Sequence, residues 1–133
     1  MQKAFKQIQR ESEISMLRFH ILALNNDKFE SHREISLNYI HDWANFLGLE
    51  NINRILAEFS SDETKLIYLN GELICINNDI PSVVTKKEMI PGILNEPRIE
   101  NLIYLFEKLS IPIRFNIDFG VDFTLNKYLG GIE

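Results

Sequence analysis

Ile113-Arg-Phe-Asn-Ile-Asp-Phe-Gly-Val-Asp-Phe-Thr-Leu125 places an apolar residue at every odd position and a polar residue or glycine at every even one. Strict period-two alternation reads as a strand with one buried face. Ile113, Phe115, Ile117 and Phe119 are expected to point into a core, with Val121, Phe123 and Leu125 continuing the row. Arg114, Asn116, Asp118 and Asp122 are expected to face outward. At roughly 3.3 Å per residue the whole stretch would run about 43 Å, more than a domain of this size readily holds. A break is therefore expected at Gly120. The strand then runs to about Phe119, followed by either a bent continuation or a short helix with Asp122 as its N-cap and Gly130 just past its end.

Working outward, Ile99, Leu102, Ile103, Phe106 and Leu109 fall at helical spacing and predict a helix over about 98–109. Pro97 lies near its first turn and Ser110-Ile111-Pro112 ends it. The preceding stretch, Pro81 to Pro97, contains three prolines and Gly92 and reads as irregular. Thr85-Lys86-Lys87-Glu88 matches a capping box, but Pro91 leaves room for only a turn or two of helix. Before it, Asn77 to Pro81 reads as a turn cluster.

The sharpest local signal is Asn70-Gly71 between Leu66-Ile67-Tyr68-Leu69 and Glu72-Leu73-Ile74-Cys75-Ile76. Asn-Gly tolerates the two positive φ angles of a type I′ turn, so a hairpin over 65–76 is expected. Its register would pair Leu69 with Glu72, Ile67 with Ile74 and Leu66 with Cys75. Both of its faces are apolar, which predicts helices covering both sides.

Three helices are expected ahead of the hairpin. From Lys3 to about Leu24, Phe5, Ile8, Met16, Phe19 and Ala23 form one stripe, and Ile14, Leu17, Ile21 and Leu24 a neighbouring one. Asn25, Asn26 and Asp27 end that helix. Ser31-His32-Arg33-Glu34 matches a capping box and starts a second helix, which runs to Leu47 and stops at Gly48. A short third helix carries Ile52, Ile55, Leu56 and Phe59 inward. The fold class is thus α+β: about three N-terminal helices on a small sheet made of the hairpin and a C-terminal strand starting near 113. The last strand would join through a right-handed crossover. A length of 133 residues with 45 % apolar content suits a single domain spanning 1–133.

Charge narrows the function classes. A formal net charge of -5 and a pI near 5.2 argue against direct nucleic-acid binding, which needs clustered Lys and Arg. Lys3, Lys6, Arg10 and Arg18 do gather, but Glu11 and Glu13 interrupt them, so they read as a solvated helix face. With Cys75 the sole cysteine, no intrachain disulfide is possible and a cytoplasmic setting is expected. The longest apolar run, Ile14 to Leu24, contains Ser15, Arg18 and His20. It falls short of the roughly 20 residues that span a bilayer, so no membrane partner is expected.

No stretch carries a motif that names a reaction. Asp118-Phe119-Gly120 spells the magnesium triplet of protein kinases, but the Gly-rich loop, the strand lysine and the His-Arg-Asp loop are missing. Asp118, Asp122 and Asn116 are hard oxygen donors without calcium-loop spacing, and a wet polar face is the simpler reading. His20, His32 and His41 show no metal-ligand spacing. Cys75 sits in an apolar strand, where burial suppresses thiol reactivity. No metal, cofactor or catalytic residue is assigned.

What remains is a surface. Glu72, Asp118 and Asp122, with Asp79 nearby in sequence, are candidates for an acidic patch at the sheet edge. Arg114 is available for a bidentate contact and Asn116 for hydrogen bonding, so Glu72, Arg114, Asn116, Asp118 and Asp122 are the expected partner-binding residues. The resulting expectation is a small acidic module that binds and inhibits a basic protein, in its concrete form an immunity protein or antitoxin neutralising a nuclease toxin. Two alternatives stand beside it: a chaperone or adaptor for a secreted or assembled protein, and a small-molecule binder or enzyme with an unrecognised pocket.

Overall fold

The structure, a computed structural model, describes residues 2–110, with side chains from residue 10 onward. The strand expected from 113, the break at Gly120 and the Asp122-capped helix lie outside these residues. In chain order come helix α1 (Gln2–Ala23), a 3-10 turn (Asp27–His32), helices α2 (Arg33–Leu47) and α3 (Leu49–Glu58), strands β1 (Thr64–Leu69), β2 (Glu72–Asn77) and β3 (Ile80–Val83), and helix α4 (Ile99–Lys108). This is an α+β arrangement, with helices packed on a small antiparallel sheet of order β1-β2-β3.

Of the two stripes expected on α1, the inner one is Ile14, Leu17, Ile21 and Leu24, all fully buried, whereas Phe19 reaches the surface. The next helix starts one residue later than its capping-box pattern implies, with His32 rather than Ser31 at the N-cap. Asn26 caps the 3-10 turn by accepting from the Lys28 N–H at 2.9 Å. His32, next to Ser31, is already near-helical (φ -101°, ψ -1°) where an N-cap needs extended backbone. Ser31 Oγ lies 3.4 Å from His32 Nδ1, and no side chain caps α2. At the far end Gly48, with φ +90°, stops α2 as expected, and its N–H donates to the Ala44 carbonyl.

The hairpin forms in the expected register, Leu69↔Glu72, Ile67↔Ile74 and Leu66↔Cys75, with φ positive at both Asn70 (54°) and Gly71 (77°). The third described strand, β3, occupies residues read from the sequence as turn and irregular segment. Asn78 and Asp79 take φ of 51° and 68° and make a second two-residue turn, which Asn and Asp tolerate. All four residues of β3 are exposed, so no hydrophobic alternation announces it.

Strand pleating sends Thr64, Leu66, Tyr68, Leu73 and Cys75 toward the helices, where they are buried. Trp43, Phe59 and Phe106 fill the space between, with Trp43 and Phe106 ring centroids 5.9 Å apart. The opposite face is less covered by the described residues than the sequence reading expects. Ile67, Ile74 and Ile76 are half-buried and stand outside the core cluster, so among the described residues the helices cover one face of the hairpin only.

The two sheet edges are treated differently. On β1 the outward N–H groups are taken by side chains: Thr64 N–H by Ser61 Oγ, Leu66 N–H by Ser60 Oγ, and Tyr68 N–H by Asn53 Oδ1. On β3 the bond from Val84 N–H to the Leu73 carbonyl sets the phase, which turns Pro81 and Val83 outward. Pro81 has no N–H to offer there, so the second edge is blunted.

From Val84 to Arg98 the chain lacks regular structure but is tied to the helix ends. Ile90 N–H donates to the Leu24 carbonyl, and Asn25 Nδ2 donates to the carbonyls of Ile90 and Gly92. Asn95 binds the Phe59 and Glu58 carbonyls through its backbone and side chain. Buried Val84, Ile90 and Leu94 close the core beneath this segment.

Candidate functional site

Glu72 is the one expected site residue among those described. It is the first residue of β2, immediately after the turn, and is exposed opposite Leu69. Arg114, Asn116, Asp118 and Asp122 lie outside the described residues. Asp79 does not join Glu72: it sits in the β2–β3 turn, so the length of β2, about 17 Å, separates them.

Two other residues do come to Glu72. On the helix-facing side of the same turn, Tyr68 Oη lies 2.5 Å from Nδ1 of His41, which projects from the polar arc of α2. Burial pushes the His41 imidazole below its usual pKa, and the carboxylates of Asp42 and Glu72 oppose that shift. Burial, then Asp42, raises the Tyr68 phenol. The lowered imidazole and raised phenol favour a pair of neutral rings joined by this hydrogen bond, in which the His41 tautomer sets which group donates. The turn thus brings Asp42 near both rings and Glu72 near the His41 imidazole. Chain spacing gives no hint of this, because a helix and a hairpin 27 residues apart supply the pair. The available signals were the polar arc on α2 and the inward phase of Tyr68.

Neither Asp42 nor Glu72 is in an ion pair among the described residues, whereas Glu34, Glu50, Glu96 and Glu107 are bridged to Lys86, Arg54, Arg18 and Arg10. At the other end of the hairpin Asp62, Glu63 and Asp79 are also exposed and unbridged. Their backbones are brought together by the bond from Asn78 N–H to the Glu63 carbonyl, 2.9 Å. Lys65 Nζ spends its contact on the Asp62 carbonyl rather than on a carboxylate.

Compared with known proteins, the chain matches no family model, no curated protein and no solved structure. Among the described residues, no group of three or more His, Cys, Asp or Glu residues is placed to hold a metal ion. Burial raises the Cys75 thiol and keeps it protonated, hence poorly nucleophilic. A hollow of about 220 Å³ opens between β3 and the following segment, lined by Val83, Val84, Thr85, Glu88 and Met89 among others. Its lining also includes Cys75, and because burial keeps that thiol protonated, it brings no second charge to the Glu88 carboxylate. No described helix is long and apolar enough to cross a membrane.

His20 is the other histidine that the tertiary structure repositions. It is buried, with Nδ1 2.8 Å from Ser36 Oγ and its ring 4.3 Å from that of Tyr39. Burial, aided by His32, lowers its pKa to about 4. This places it in the core as a neutral hydrogen-bonding group rather than a ligand.

Proposed function

We propose that this chain is a small acidic protein-binding module that occupies and inhibits a basic partner in the cytoplasm, in its concrete form an immunity protein or antitoxin covering a nuclease toxin. One observation carries the reading: among the described residues, the carboxylates at the ends of the sheet, Asp42 and Glu72 at one and Asp62, Glu63 and Asp79 at the other, are in no ion pair, while several helix carboxylates are. Unbridged acid on a rigid hairpin attracts a cationic surface at long range and needs no internal ion pair to be broken first. The Tyr68–His41 pair stiffens the turn that presents it.

The test begins with a pull-down from the native host, read with the neighbouring genes for a toxin. Against the partner so obtained, Asp42→Lys with Glu72→Lys should slow association by roughly tenfold or more and flatten the salt dependence, leaving the melting temperature nearly unchanged. Asp118→Lys with Asp122→Lys is expected to act in the same direction. Unchanged affinity in both double variants would remove the reading.

A further inference from the structure

We propose that the sheet face left uncovered among the described residues is the seat for the apolar centre of that basic partner; the inference rests on the function proposed above and adds the surface and its chemistry. The register puts Ile67, Ile74 and Val83 in one cross-strand row and Lys65, Ile76 and Pro81 in the next. Leu69 and Val83 are 42 % and 46 % exposed, and none of the three isoleucines belongs to the core. β-branched side chains on a strand are stiff, so this surface is ordered before anything binds.

Edge pairing is a poor route for a partner. Side chains occupy the outward N–H groups of β1, and Pro81 blunts β3. The face itself is left. It measures about 17 Å along β2 and about 10 Å across three strands, too little for a whole interface of about 800 Å² per partner but enough for its centre. One end carries Glu72, with Asp42 of α2 on the far side of the turn, and the other carries Asp62, Glu63 and Asp79; Lys65 is the one cation on the face among the described residues. An aliphatic centre inside an acidic frame is complementary to a basic protein surface with an apolar middle.

Two short synthetic peptides of equal length and charge, one alternating Lys with Val and the other Lys with Ser, test this on the full chain by NMR titration at low salt. The Lys-Val peptide should bind roughly tenfold tighter, with amide shifts concentrated on Lys65–Leu69, Glu72–Asn77 and Val83. Ile67→Ser with Ile74→Ser should abolish the difference; the exposed Val83→Ser, which endangers the fold less, should reduce it. Asp42→Lys with Glu72→Lys should weaken both peptides alike. Equal binding of the two peptides overturns the apolar seat while leaving the charge-based function standing, whereas no binding of either removes both. A soluble paramagnetic probe on the free protein should broaden the methyls of Ile67, Ile74 and Val83. Protection equal to that of buried Ile55 would mean that the chain or a second copy already covers the face, and would overturn the proposal. Loss of that protection on dilution would assign the cover to a second copy.

Discussion

Asn53 meets Tyr68 as a neighbouring strand would: its Oδ1 accepts from the Tyr68 N–H at 2.6 Å and its Nδ2 donates to the Tyr68 carbonyl at 2.9 Å. One carboxamide on α3 thereby satisfies both outward groups of a β1 residue and closes that edge. Asn53→Ala should cost about 2 kcal/mol, because it leaves a partly buried N–H and C=O without partners. Hydrogen exchange at the Tyr68 amide should accelerate more than at Ile67, which bonds inward to β2. Asn53→Asp keeps the acceptor but turns an oxygen toward the Tyr68 carbonyl, so it should not rescue. Equal stability of Asn53→Ala and the parent would contradict the clamp.

Gly92, at φ +81°, runs against the Thr64–Asn77 pair, whose side chains bond at 2.8 Å; a Cβ there would overlap Thr64 Oγ1 and Asn77 Oδ1. Gly92→Ala should cost about 2 kcal/mol or more in thermal unfolding. Asn tolerates positive φ but carries the same Cβ, so Gly92→Asn should be no better. A mild Asn variant would show that backbone strain, not crowding, dominates.

His20 makes stability depend on pH in a definite direction. Its folded-state pKa, about 4, lies below the unfolded value of 6.5. Between those values the unfolded chain binds the proton and the folded chain does not. Stability is therefore complete above pH 6.5 and falls as the pH drops toward 4, by up to about 3 kcal/mol. His41, also lowered by burial, adds to the loss with the same sign. His20→Asn, which preserves a polar atom near Ser36, should flatten the melting temperature across this window. A slope as steep as in the parent would assign the acid sensitivity to other groups.

Phe106 joins α4 to the core, fully buried against Trp43. Phe106→Ala should cost about 3–5 kcal/mol, while removing exposed Tyr104 from the same helix should cost less than about 0.5 kcal/mol. Trp43, the sole tryptophan, supplies the readout: its emission should shift to the red at a lower denaturant concentration in the first variant and hardly move in the second.

Local chemistry determined a good deal. Asn70-Gly71 specified the hairpin and its register because few dipeptides accept two positive φ angles. Helical periodicity placed the inner stripe of α1, the inward side chains of α3 and the Leu102–Phe106 face of α4. β3 is not legible in the sequence because it buries no side chain and carries a proline at its second position, so neither period nor composition marks it. Ser31 matched a capping pattern whose geometry the preceding 3-10 turn preempted.

Only the tertiary structure decided which side of the hairpin the helices cover, how α3 closes the β1 edge, and that Asp42 comes near both His41 and Tyr68 and Glu72 near His41. Turn preference and periodicity act over a few residues, and the chain carries them openly. Partners such as Asn53 with Tyr68, His20 with Ser36 and Gly92 with Thr64 are 15 to 28 residues apart, and meet because buried volume and hydrogen-bond satisfaction select one packing of elements whose local preferences allow several.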